Sequence, residues 1–386
     1  MNKYPPLYFL KAVLLSAVLL LFFLACFAQA KQAAKMGLPP EFALRADYGV
    51  VYAHTFLVEN TAGAQPRGVG FEVSKLLADK SNWDEYRCYP RMGLLFSFVD
   101  FNSAILGRAY SSAYFLEPNY RLGKNTSFFV RGAVGLSYLT NPHDSIKNPS
   151  NQSYSLPVNC YLSLGLGINY QLGKHMGLGI MANFQHNSNG GFSMPNHGVN
   201  YPTASISVRY AMGGSNLPKY PKTKTIDWRK SKIGIDAGVY YSPKSGYKPI
   251  TNNGWVSERK YVVGTFIQAS KQFSSLHAVT AMLEVYKDGG LQSIKQNLGD
   301  NSSSVLAGFM LGHEFVFHHI IFSQQLGVYV FKETSTFSRL YLQAFPEVYH
   351  RWGLRYKINQ HLYAGFNLLA HNQVADFIDV RASWRF

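Results

Sequence analysis

The chain has 386 residues and a formal net charge of +16, an excess of cations that favours anionic partners such as phosphorylated lipid headgroups. Beyond the first 30 residues no apolar, uncharged run reaches the roughly 18 residues a spanning helix needs, which excludes a helical membrane protein. Only 3 cysteines are present, too few for a disulfide-stapled scaffold.

The first segment reads as an export signal. Lys3 and Lys11 supply positive charge, an apolar run follows from Ala12 to Phe27, and Ala28-Gln29-Ala30 fits a small-x-small cleavage site. Residues 1–30 are therefore expected to be a signal peptide, with the mature chain starting at Lys31. Loss of Lys3 and Lys11 lowers the formal charge to about +14. A lipoprotein reading through Cys26 fits less well, because Phe23-Leu24-Ala25 is a poor lipidation box. For a basic protein behind such a signal, lipid headgroups are the expected partners and nucleic acid is not.

Segments with period-two alternation follow. Strands are expected at roughly 42–57, 67–79, 91–101, 104–117, 125–140, 155–171, 175–189 and 202–212. In the fifth, Phe128, Val130, Val134, Leu136 and Tyr138 share a face; in the sixth, Leu162, Leu164, Leu166, Ile168 and Tyr170 do. In the eighth, Ala204, Ile206, Val208 and Tyr210 oppose Ser205, Ser207 and Arg209. Large apolar residues on one face and Gly, Ser, Asn or Arg on the other fit a transmembrane antiparallel β-barrel of the outer-membrane type. A water-soluble β-sandwich would bury its large apolar residues inside.

A basic, Pro-containing stretch, 213–231, is expected to link residues 42–212 to a second set of strands within 232–386. These are expected at roughly 232–243, 258–272, 276–287, 302–317, 319–332, 338–356, 360–371 and 375–386. The halves look like weak repeats: Ser207-Val208-Arg209-Tyr210 resembles Asp379-Val380-Arg381-Ala382, and Asp47 and Asp236 open comparable strands. The last strand carries an outward row of Ile378, Val380, Ala382, Trp384 and Phe386, an aromatic closure signal that 202–212 lacks. The expectation is all-β: one barrel of about 16 strands closing at Phe386, with two tandem eight-stranded barrels as the alternative. Cys88 and Cys160 fall near opposite ends, so no disulfide is expected.

In segment 175–189 the apolar row Met176, Leu178, Ile180, Ala182 and Phe184 continues as His186 and Ser188. Barrels of this class have short periplasmic turns and longer extracellular loops. The short connection 172–174 and the long connections 141–154 and 190–201 therefore place His186 and Ser188 at the extracellular end of the lipid-facing row.

The run His186-Asn187-Ser188-Asn189-Gly190-Gly191, followed by Pro195-Asn196-His197-Gly198, resembles the signature of the lipid A 3-O-deacylase family. The resemblance covers 42–212 in architecture and is specific across 186–198. It implies an outer-membrane esterase that removes the acyl chain at the 3-position of lipid A. Ser188 would be the nucleophile and His186 its base. Asn189, Gly190, Gly191 and Asn196 are oxyanion candidates. The family's glutamate is replaced by Asn200, which can orient the imidazole but not stabilise its cation. Asp144, on a neighbouring loop, is the weaker alternative acid. The apolar row Ile180, Ala182 and Phe184 would lie along the acyl chain.

No cofactor or metal is expected. His313-Glu314 and His318-His319 lack the H-E-x-x-H spacing of a zinc helix. His371-Asn372 sits where a second dyad would fall, but Gln373 follows in place of a serine, so that site would be dead. The lipopolysaccharide of a two-membrane bacterium is the expected substrate. The plain reading of His186 and Ser188 is a polar strand cap. The competing function is a non-catalytic outer-membrane barrel, either a pore or a surface protein.

Overall fold

The computed structural model describes residues 39–386 apart from 215, 222–227, 251–253, 298, 334–346 and 372–373. The expected signal peptide lies outside the described residues, as do 338–346 of the strand expected at 338–356.

Among the described residues sixteen antiparallel strands form two closed barrels of eight, which overturns the expectation of a single sixteen-stranded barrel and agrees with the two-barrel alternative. The first barrel contains β1 (Glu41–Gly49), β2 (Arg67–Leu76), β3 (Tyr89–Asp100), β4 (Arg108–Arg121), β5 (Thr126–Leu139), β6 (Val158–Gln171), β7 (Met176–Ser188) and β8 (Val199–Ala211). The second contains β9 (Gly234–Ile250), β10 (Gly254–Gln272), β11 (His277–Asp288), β12 (Val305–Phe317), β13 (Ile320–Lys332), β14 (Val348–Lys357), β15 (Leu362–His371) and β16 (Val374–Arg385). Neighbours pair in chain order. β1 closes on β8 from Glu41↔Ala211 to Gly49↔Thr203, and β9 closes on β16 from Asp236↔Arg385 to Tyr241↔Val380.

The lumens explain the division. Hydrocarbon forbids an unpaired strand edge, which either closure satisfies. An eight-stranded barrel, however, is just wide enough for its inward side chains to fill, and each half carries a self-contained set. In the first lumen Arg131 bridges Glu72 and Glu117, Arg91 bridges Glu41 and Glu117, and Arg45 bonds Asp47 at 2.9 Å. In the second, Arg351 bridges Glu284 at 2.9 Å and Asp379 at 2.7 Å, while Arg355 and Arg385 hold Asp236. Buried charges need such partners, and none of these pairs crosses between the halves. The outward row expected on β8 is present, with Ile206, Val208 and Tyr210 all exposed, and β8 closes the first barrel without a terminal aromatic signal.

The outer walls invert the soluble pattern. Leu164, Leu166, Ile168 and Tyr170 of β6 are 41–57% exposed, an arrangement that only a hydrocarbon surround stabilises.

Several boundaries differ from the sequence reading. β1 stops at Gly49, because Val50, Val51 and Tyr52 bond instead to the carbonyls of Pro202, Ala64 and Asn200. A 3-10 turn, Phe56–Thr61, follows, capped by Thr55. β4 continues past Pro118 to Arg121. Pro118 faces Pro90 of β3, a pair with no N–H to lose. Two helices occupy connections where none was expected: α1 (Lys80–Tyr86) and α2 (Gly289–Asn297). Asp79 caps α1 by accepting from the Asn82 amide. Tyr86 of α1 packs against Phe317 and His318, so the two barrels meet at the short-turn end. Cys88 and Cys160 are free thiols.

Candidate active site

The site is built by the β7–β8 hairpin and its connection, residues 189–198. Side chains directly opposed in an antiparallel pair share a face and touch. The β7–β8 register opposes His186 to Asn200, and Nδ1 of His186 lies 2.5 Å from Oδ1 of Asn200. A carboxamide oxygen only accepts. The imidazole therefore carries its proton on Nδ1, which leaves the Nε2 lone pair free. The other end of the amide, Nδ2, donates to Nδ1 of His54 at 2.9 Å. His54 sits in the segment after β1, which is docked by the bond from Tyr52 N to Asn200 O at 2.8 Å. Burial pushes His54 below the usual imidazole pKa, opposed by the adjacent backbone of His197. It is thereby kept neutral, as an acceptor must be.

Ser188 is 4% exposed at the end of β7. Its Oγ accepts from the Gly190 backbone at 3.1 Å and from Asn196 Nδ2 at 2.9 Å. The Asn189 amide donates to Asn196 Oδ1 at 2.9 Å, and the Ser188 hydroxyl donates to that same oxygen at 3.2 Å, so both ends of the Asn196 side chain meet the serine. The side chain of Asn189 is committed to the loop, donating to Ser193 O at 2.9 Å and Ser155 Oγ at 3.3 Å. Gly190 and Gly191 adopt φ of +64° and +79°, the left-handed region that favours glycine. Gly198, at φ +77°, does more than turn the chain: a Cβ there would lie 2.7 Å from Cε1 of His186. Pro-Asn-x-Gly thus supplies one residue that bonds the serine and one that makes room for the histidine. No hydrogen bond joins Ser188 to His186 among the described residues. Such bonds are often long in unliganded sites and tighten around substrate.

A groove of about 770 Å³ lies on the outer wall of this barrel, lined by Leu164, Leu166, Ala182, Phe184, Pro202 and Ala204 among others and by none of His186, Ser188 or Asn200. Its upper members, Phe184 and Pro202, form the outward pair directly below His186 and Asn200. Ile180 continues the row further down, 59% exposed.

The other sequence candidates are placed differently. Asp144 caps its own loop, accepting from the amides of Ile146 and Lys147 at 2.9 and 2.8 Å, which holds its carboxyl below the usual range. It makes no hydrogen bond to His186, Ser188 or Asn200 among the described residues. His371 points into the second lumen, 2.8 Å from the Tyr329 hydroxyl, while Asn372 and Gln373 lie outside the described residues. Glu314 is turned to the lumen and bonds Gln268, whereas His313 pairs with His277. His54 was missed altogether. It lies 146 positions from Asn200 and no motif includes it.

Fold and site together define a β-barrel with an apolar outer wall and a largely buried polar cluster, His186, Ser188, Asn196 and Asn200, at one end of β7 and β8. The family model described as lipid A 3-O-deacylase (PagL) matches residues 48–209, and that of the acyloxyacyl hydrolase C-terminal domain matches 231–386. The chain belongs to the lipid A 3-O-deacylase family through its first barrel, and is a carboxylic ester hydrolase of that kind. Family and fold point to the outer membrane. Among solved structures it is similar to the outer membrane enzyme PagL, at 15% identity over 43% of this chain and 97% of that one, with a TM-score of 0.31. It is also similar to a triple mutant of Rhodopseudomonas blastica porin, at 8% identity over 90% and 100% with a TM-score of 0.18. A TodX monoaromatic hydrocarbon channel mutant matches at 10% identity over 90% and 89% with a TM-score of 0.19. A search of curated proteins gave no match.

Proposed function

We propose that this chain is exported by residues 1–30 to the outer membrane, and that its first barrel hydrolyses the 3-position ester of lipid A by a serine–histidine mechanism. The observation that carries this reading is the His186–Asn200 bond directly above the lipid-facing groove. Lipid A diffuses laterally in the outer leaflet, and its acyl chain lies in the groove along Phe184 and Ala182. Nε2 of His186 takes the Ser188 proton as Oγ attacks the ester carbonyl. The N–H of Gly190 and Nδ2 of Asn196, both aimed at the space around Oγ, receive the oxyanion. Asn189 acts one step back, by orienting Asn196. The imidazolium then protonates the leaving sugar hydroxyl, and a water activated by His186 releases the fatty acid. Asn200 fixes the tautomer as the third member. Asp144, tied to its own loop, has no part in this scheme.

Fatty-acid release from purified lipopolysaccharide is the test. Ser188→Ala and His186→Ala are each expected to lower it at least about 10³-fold, with folding checked by heat-modifiable electrophoretic mobility. Release by Ser188→Ala at the wild-type rate would sink the serine mechanism.

A further inference from the structure

The turn that carries Gly190 is seated on the second barrel. Its backbone leaves β7 with left-handed φ at Gly190 and Gly191 and runs against the extended wall of β16. A Cβ at Gly190 would collide with the side chain of Ile378. One at Gly191 would lie 2.5 Å from the Asp376 carbonyl oxygen. Ser245 of β9 reaches the Phe192 carbonyl at 3.5 Å.

The ladder between β9 and β16 of this closed barrel ends where the contact falls, leaving a locally open seam. Pairing between β9 and β16 runs from Asp236↔Arg385 up to Tyr241↔Val380 and stops there, although both strands continue. Above that point Ser242 Oγ donates to the Ile378 carbonyl at 2.7 Å in place of the ladder. Ile378 begins the outward row of β16 and is half-buried, whereas Trp384 lower in that row is 48% exposed. Glycine at both turn positions allows the backbone to sit flat on this wall, and any larger residue would hold it off.

We infer that the second barrel is a positioning element for the first barrel's site. Ile378 and the open seam hold the Gly190–Gly191 turn so that the Gly190 N–H stays aimed at Ser188 Oγ. The inference rests on Ser188 being the nucleophile. It gives residues 234–386 a role in catalysis although they supply no reacting group. Ile378 is a positioning residue: it touches the turn, and the turn touches the reacting atoms. A donor held this way raises the turnover step, because its bond strengthens as the oxyanion forms.

The test uses the full chain and lipopolysaccharide. Ile378→Ala is expected to lower kcat about tenfold with KM within about twofold, since a loosened donor weakens transition-state binding alone. Ile378→Val, which removes only the Cδ1 atom, is expected to fall between. Val239→Ala, on the same barrel's outer wall but outside this contact, is expected to match wild type. An unchanged kcat in Ile378→Ala, a loss confined to KM, or an equal loss in Val239→Ala overturns the inference. If Ile378→Ala does not fold, Ile378→Val decides by the same criteria. Ser188→Ala, measured alongside, separates the two levels. If it is active, the nucleophile assignment fails; if it is inactive while Ile378→Ala turns over normally, the positioning role fails.

Discussion

At Asn200 one amide performs two tasks, accepting from His186 with its oxygen and donating to His54 with its nitrogen. A carboxylate there would also stabilise the imidazolium formed during attack; the amide only orients. His54 matters because it satisfies the donor end, which otherwise is free to rotate. The sign of its pH dependence follows. The folded pKa of His54 lies below the ordinary value of about 6.5. The bond from Asn200 is therefore intact at neutral pH and is lost as pH falls through that lowered value. His54→Gln keeps an acceptor that does not titrate, so its kcat at neutral pH is expected within about threefold of wild type. His54→Leu leaves the amide nitrogen unpaired, at about 1–3 kcal/mol, and is expected to lose roughly tenfold or more. A kcat/KM profile from pH 5 to 8 should fall less steeply on the acid side for His54→Gln than for wild type. Equal rates in wild type and His54→Leu would remove His54 from the site. Asn200 was legible in the sequence because hairpin register pairs it with His186. His54 was not, because only barrel closure of β1 on β8 brings it near.

At the scale of the strand, the alternation of large apolar and small or polar residues was readable in β5 to β8 without any structure. What alternation does not state is which inward charge meets which. Glu117 of β4 illustrates the point: it is completely buried and contacts both Arg91 and Arg131, from β3 and β5. Those partners lie on the adjacent strands and would meet Glu117 in a barrel of either size; the pair that needs a narrow lumen is Arg131 of β5 with Glu72 of β2, which a wide barrel would hold apart. Glu117→Gln removes one of the two carboxylate partners of each of two buried arginines, leaving Glu41 to Arg91 and Glu72 to Arg131. It is expected to lower stability by about 1–3 kcal/mol, the range for weakening charge-assisted hydrogen bonds in a buried site. Urea titration of the folded, heat-modifiable band measures this, and a midpoint equal to wild type would show the lumen network to be dispensable. The glycine-rich connection 189–198 was read as a motif, but its contact with β16 joins positions nearly two hundred residues apart in separate barrels, beyond any periodicity argument.

At the scale of the molecule, the count of strands was legible, and their partition only as an alternative carried by the weak repeat of the two halves. The aromatic end at Phe386 pointed to one closure, while the information for two lay in the inward charges. Glu41, Asp47, Glu72 and Glu117 face Arg45, Arg91, Arg131 and Arg209 in one lumen; Asp236, Glu284, Glu314 and Asp379 face Arg351, Arg355, Arg381 and Arg385 in the other. Each network is electrically neutral, so neither contributes to the chain's excess of +16. That excess resides outside these networks, and its consequence is adhesive rather than structural. Attraction between surface cations and phosphate-bearing lipid weakens as added salt shortens the Debye length from about 10 Å at 0.1 M to about 3 Å at 1 M. Raising ionic strength over that range is expected to raise KM for lipopolysaccharide severalfold while kcat and the unfolding midpoint stay nearly constant. The ion pairs inside are shielded from the bath, and the ones that meet the substrate are not.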